Sequence, residues 1–160
     1  MRRTERRGPA VVITTRYIGI PTEGSPGPTW TARFTGLPLA GSTGPARNVR
    51  FALGAELLFR AAPHDRLDPA AWVLIDLGYQ YPFRVATLFA TGVFAAGMGE
   101  RFRFEHGNFE FAWQIGAEIG ADVRPPRSPV GLEVAAGFGR TGWGEQWTLN
   151  GWIRFGLAFF

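Results

Sequence analysis

The 160-residue chain has no cysteine, and its seventeen basic residues include no lysine: all seventeen are arginine. The first absence excludes a disulfide framework, thiolate metal ligation and a cysteine nucleophile, while leaving the compartment open. Only two histidines are present, His64 and His106, too few for a multi-histidine metal centre. No apolar run is long enough for a helical span. The longest uncharged, apolar-rich stretch is the fifteen residues from Val85 to Gly99, between Arg84 and Glu100, against the roughly 18 or more that a spanning helix needs. A secretory signal is incomplete as well. Arg2, Arg3, Arg6 and Arg7 match its basic start, but only Pro9-Ala-Val-Val-Ile13 follows before Thr14, where about 7–15 apolar residues are required. An intact signal peptide is therefore not expected in this sequence, and neither a cofactor nor a metal is expected.

What is present narrows the class further. A hydrophobic share of 46% with 14% aromatics is too apolar for a disordered chain, and the length suits one domain. Net charge is +4, but beyond the N-terminal cluster the arginines are interleaved with acids. Such dispersal does not make a phosphate-tracking stripe, so nucleic acid is not an expected partner.

Alternation is the strongest signal. From Phe109 to Asp122 the odd positions read Phe109, Phe111, Trp113, Ile115, Ala117, Ile119 and Ala121, and the even ones Glu110, Ala112, Gln114, Gly116, Glu118, Gly120 and Asp122. Side chains on a strand alternate faces, so this segment has one apolar face and one acidic, glycine-containing face, which a helix would mix. The same reading predicts strands over 49–60, 73–81, 130–139 and 147–159, with less regular ones over 10–19, 29–36 and 85–97, the last apolar on both faces. Turn residues predict connections at 21–28, 36–47, 61–69, Pro82, 97–108, 124–129 and 140–145, with proline confined almost entirely to them. Eight short strands in sequence predict an all-β, eight-stranded antiparallel up-and-down barrel over residues 10–160, preceded by a basic segment over 1–9.

Two barrels share this pattern. A soluble lipocalin-like barrel turns its apolar face inward around a hydrophobic ligand, and a membrane barrel turns it outward to lipid. The polar face favours the second. It is built of Gly and Ala with isolated charges, as a narrow lumen requires, and its charges nearly balance, as buried charges must. The expected lumen network is Arg16, Arg33, Arg50, Glu56, Asp76, Glu110, Gln114, Glu118, Glu133 and Arg154, with Arg60 and Asp122 on the same face. The expected lipid-facing set is Phe51, Leu53, Ile75, Leu77, Trp113, Ile115, Leu132, Val134, Ile153, Phe155 and Leu157. Aromatics fall into two bands, Phe59, Trp72, Phe109, Phe111 and Trp147 at one rim and Tyr79, Tyr81 and Phe159 at the other, as aromatic girdles do.

From about Ala10 to Phe160 the chain resembles the small eight-stranded bacterial outer-membrane barrels, the type of outer-membrane protein A and outer-membrane protein X. The closing Trp152-Ile-Arg-Phe-Gly-Leu-Ala-Phe-Phe160 ends in Phe as they do, although Phe159, not Phe160, shares the apolar face. The resemblance implies a bacterial outer-membrane location, the lipid bilayer as partner, and recognition by the barrel-assembly machinery through Phe159 and Phe160. It also implies a structural or adhesive role without a wide pore, with a surface partner met through loops near 21–28, 61–70 and 98–108.

Chemistry-bearing residues are few. Phe102-Arg-Phe-Glu-His-Gly-Asn108 is similar to the His-x-Ser-Asn region of lipid A deacylase barrels, but the serine nucleophile is missing. A lipid-modifying enzyme is thus a third reading behind the two barrels, and no catalytic residue is expected. His64 with Asp65 and Asp68 lacks a recognisable metal spacing. The glycines of Gly137-Phe-Gly139 and Gly142-Trp-Gly144 precede no helix and do not form a phosphate loop. For the doubly apolar 85–97, close packing of Ala86, Ala90 and Gly92 is the expected cause, ahead of a protein partner or a greasy section of lumen.

Overall fold

The computed structural model describes the backbone of residues 9–19, 29–40, 42–61, 67–103, 106–143 and 146–160. It describes their side chains except at 18, 19, 29, 58–61, 67–70, 99–103, 106–110, 143, 146 and 148. Eight strands run in sequence: β1 (Val11–Gly19), β2 (Thr29–Gly36), β3 (Val49–Ala61), β4 (Leu67–Pro82), β5 (Ala86–Arg103), β6 (His106–Val123), β7 (Val130–Trp143) and β8 (Gln146–Phe159). Each pairs antiparallel with the next. β1 pairs with β8 from Val11↔Phe159 to Gly19↔Gly151, which closes the barrel and removes both free edges. A 3-10 turn, Gly44–Asn48, lies between β2 and β3.

The strand start of β1, the strand end of β8 and the connections 37–48, 83–85 and 124–129 all lie at one end of the barrel, here called the terminal end. The connections 20–28, 62–66, 104–105 and 144–145 belong by chain order to the far end.

Several strands outrun the expectation there. Residues 98–108, expected as a loop, belong mostly to β5 and β6, whose ladder continues to Arg103↔His106. Above Ala70↔Gly99 and Ala112↔Trp143 that hairpin has no further pairing to β4 or β7 among the described residues, so it stands above its neighbours. The apolar alternation fades there because charged residues enter both faces, and pairing continues without it. Likewise β4 begins at Leu67 and β7 runs on to Trp143. Pro69 and Pro82 lie inside β4, contrary to expectation. Both sit near strand ends, and Pro69 precedes the first residue of β4 that meets β5, so one side of it has no ladder to lose.

The inward residues follow a strict period of two. An apolar layer of Val12, Leu37, Ala52 and Ala158, backed by Ala40 and Phe160, closes the terminal end. A second, formed by Trp72, Leu74, Ala95, Ala112 and Trp152, lies toward the far end. Trp72 is thus not in an outer girdle: it shares the inward register of Leu74 and Asp76 and is buried. On β5 the inner residues are Thr87, Phe89, Thr91, Val93 and Ala95, whereas Ala90 and Gly92 are exposed. Close packing of the small residues was the wrong account of this strand. Phe89 goes inside, while Ala90 and Gly92 go outside with Phe94.

Candidate functional site

Between the two apolar layers lies a band of buried charge. Arg16, Arg33, Arg50 and Arg154 are buried there with Glu56, Asp76, Glu118, Asp122 and Glu133. Each sits at an inward position of its strand, so the period of two puts them on one face and closure of the barrel brings that face to one space. Seven form a single relay across the barrel. The Arg33 guanidinium donates to Asp76 and reaches Glu118 at 3.4 Å. Arg154 donates to the other Glu118 oxygen at 2.5 Å and also to Glu133. Arg50 then links Glu133 and Asp122, each at 2.5 Å. The relay draws on β2, β3, β4, β6, β7 and β8.

A second group joins β1 to the rest. Arg16 donates to Glu56 Oε2 at 2.5 Å and to Gln114 Oε1 at 2.8 Å, and the Thr31 hydroxyl donates to Glu56 Oε1 at 2.6 Å. The Trp152 indole N–H donates to Glu118 Oε1 at 2.7 Å, while its ring lies 5.1 Å from the Arg16 guanidinium. Phe89, from β5, which contributes no charge to either group, sits 3.8 Å from the Arg50 guanidinium and 6.0 Å from that of Arg154. An aromatic face stabilises desolvated guanidinium charge by about 2 kcal/mol. Five carboxylates therefore meet four guanidiniums, with neutral donors from Thr31 and Trp152 directed at the acids.

Of the expected lumen set, Arg16, Arg33, Arg50, Glu56, Asp76, Gln114, Glu118, Glu133 and Arg154 are buried in these two groups. The side chains of Glu110 and Arg60 lie outside the described residues. Sequence reasoning missed Phe89, Thr31 and Trp152 as members. Their even or odd position carried the signal, but neither an aromatic nor a threonine announces a role in a charge network.

Filling this space demands glycine beside the large rings. A Cβ at Gly137 would run into the Trp152 indole, and one at Gly120 into the Phe89 ring.

The outer wall is the reverse. Leu53, Ile75, Leu77, Ile115, Leu132, Val134, Ile153, Phe155 and Leu157 are exposed on it, while Phe51 and Trp113 are half-buried. Trp113 lies across Gly142 of the neighbouring strand, where a Cβ would strike its indole. Toward the far end Tyr17 and Trp30 pair edge-on at 5.1 Å, and Phe111 and Trp147 are exposed. Toward the terminal end Tyr79, Tyr81 and Phe83 are exposed, the last two paired edge-on at 5.0 Å. Phe59 and Phe109 lie outside the described side chains, and Phe159 is only half-buried. Phe160 packs against the inner apolar layer with Arg124 at 4.8 Å from its ring.

His64, Asp65, Asp68 and His106 also lie outside the described side chains. Among the described residues no group of three or more His, Asp or Glu is arranged to hold a metal ion.

No family model matches the chain, and no curated protein matches it in sequence. Among solved structures, that of Neisserial surface protein A superposes with a TM-score of 0.64 over 94% of this chain and 96% of its own, at 11% identity. The likeness is one of fold: the same closed barrel is built from a largely different sequence.

Proposed function

We propose that this chain is a bacterial outer-membrane β-barrel protein with a plugged interior, which acts structurally or as a surface-interaction module and not as a wide pore. The observation that carries the reading is the inversion of burial. Large apolar side chains such as Leu77 and Ile119 are 60% and 68% exposed, while Arg16, Arg33, Glu118 and Glu133 are at most 1% exposed. A soluble monomer rarely shows water an apolar patch beyond a few hundred Å², and here the exposed apolar side chains encircle the barrel. Against acyl chains the same wall is favourable. The outer positions of β8 from Trp147 to Leu157 extend over eleven residues, matching the roughly 9–11 of a tilted transmembrane strand.

The fold shared with Neisserial surface protein A, itself a surface protein by name, supports the location. A lipocalin-like carrier is disfavoured because the space such a ligand would need holds the ion relay. A lipid-modifying enzyme is disfavoured because the segment from Phe102 to Asn108 has no serine. Residues Phe159 and Phe160 serve in this reading as the signal for the barrel-assembly machinery, and the far end meets any surface partner.

Fractionation of cells tests the location. The protein is expected in the outer membrane, released only by detergent, and its unboiled form should migrate differently from its boiled form on a denaturing gel. Recovery as a detergent-independent soluble protein would reject the reading.

A further inference from the structure

The connections of the two ends differ in the charged residues that their sequences carry. The three connections at the terminal end, 37–48, 83–85 and 124–129, contain Arg47, Arg84, Arg124 and Arg127 and no acidic residue. The four connections of the far end contain Glu23, Asp65, Glu105 and Glu145 against one arginine, Arg66. At the terminal end the interior is closed by Val12, Leu37, Ala52 and Ala158, so the four arginines stand outside the ion relay. Three of them, Arg47, Arg84 and Arg127, are exposed.

Their backbone is held in place. Gln80 donates to the Arg47 carbonyl at 2.8 Å, and the Phe83 N–H to Ala86 O at 2.7 Å. The Arg124 N–H donates to Val85 O at 2.9 Å, which ties two of the connections together. The Arg124 side chain is engaged by Ser128 O and the Phe160 ring. Arg127 adopts a left-handed φ of 67°, which glycine would hold without strain. At the same end of the barrel Tyr79, Tyr81 and Phe83 are exposed on the outer wall, the side chains suited to headgroup depth.

We propose that this end is a collar for anionic phospholipid, in which Arg47, Arg84 and Arg127 hold the headgroup phosphates of the adjoining leaflet. Guanidinium forks pair with phosphate oxygens bidentately, and basic groups at a membrane surface favour anionic over zwitterionic lipid. The placement of a bilayer around this wall rests on the outer-membrane reading above, and the collar adds a lipid class and an end of the molecule to it.

Native mass spectrometry of the full chain in mixed micelles tests the collar, with phosphatidylglycerol competing against phosphatidylcholine. Only protein that shows the unboiled gel shift is used, so a failure of the membrane reading appears at that step and not in the lipid count. The wild type should retain phosphatidylglycerol in about tenfold preference, and R47Q/R84Q/R127Q should bring the ratio close to one. R140Q, which removes an arginine nearer the far end, should leave the preference intact. Raising ammonium acetate from about 0.02 to 0.5 M, which shortens the screening length from ~20 to ~4 Å, should erode the wild-type preference and so tests the idea without any variant. An unchanged ratio in the triple variant, an equal loss in R140Q, or a salt-insensitive preference would each overturn the proposal. So would full competition by soluble glycerol phosphate, which would indicate a free-anion site in place of a lipid surface.

Discussion

Glu118 accepts from three donors, Arg33, Arg154 and the Trp152 indole. Its removal leaves Arg33 with Asp76 and Arg154 with Glu133 as their remaining carboxylate partners, and takes one buried charge from the balance. Breaking a buried ion pair from one side costs about 3–5 kcal/mol, so Glu118→Ala is expected to lower barrel stability by that amount in urea titrations of the refolded protein. A loss below 1 kcal/mol would mean that water reaches the relay freely. Phe89 makes a related prediction. Its ring lies against two arginines and above Gly120, so Phe89→Ala should cost about 3–5 kcal/mol with no change of oligomer size in detergent. Phe94, on the outer wall, is the residue whose replacement by serine would disclose a protein partner on β5. These inward partners were legible only in part. Residue parity assigns Arg50 and Asp122 to one face, but which carboxylate meets which guanidinium depends on how far the strands are staggered around the barrel, and no local pattern carries that stagger.

Whole strands show the same division. β6 is readable from its side chains alone because its odd positions from Phe111 onward are apolar and its inward even positions are small or polar. If its outer face meets acyl chains, Ile115→Arg should cost about 2–4 kcal/mol near the bilayer midplane, measured by unfolding from vesicles. A value near zero would place Ile115 away from lipid. β5 was less readable. With large apolar residues on both faces, Thr87 and Thr91 are the one polar mark on its inward parity, and pairing with β4 and β6 shows that Phe89 and Val93 turn inward with them. The extension of β5 and β6 through 98–108 was hidden for another reason. Backbone hydrogen bonding continues a hairpin as long as the two chains stay in register, whether or not one face remains apolar.

At the scale of the molecule, two apolar layers and the ion relay are what the proposed plugged interior rests on, as eight strands allow. In planar bilayers the wild-type protein should therefore give no stable conductance step of the size expected from a water-filled pore. A double replacement that empties the relay, Arg33→Ala with Glu118→Ala, should either admit small ions or fail to show the unboiled gel shift. Steady large conductance from the wild type would contradict the plugged reading.

Alternation is a local property, since successive side chains must leave a strand on opposite sides. The sequence by itself therefore determined the strands of the core, their count and the partition of residues between two faces. It did not determine which face is inside by any local rule, because turning every strand over leaves the alternation unchanged. That choice belongs to closure. Only in the closed barrel do Arg16, Arg33, Arg50 and Arg154 come within reach of carboxylates from distant strands, and only closure gathers three separate arginine-bearing connections at one end, because a shared rim exists only once β1 has met β8.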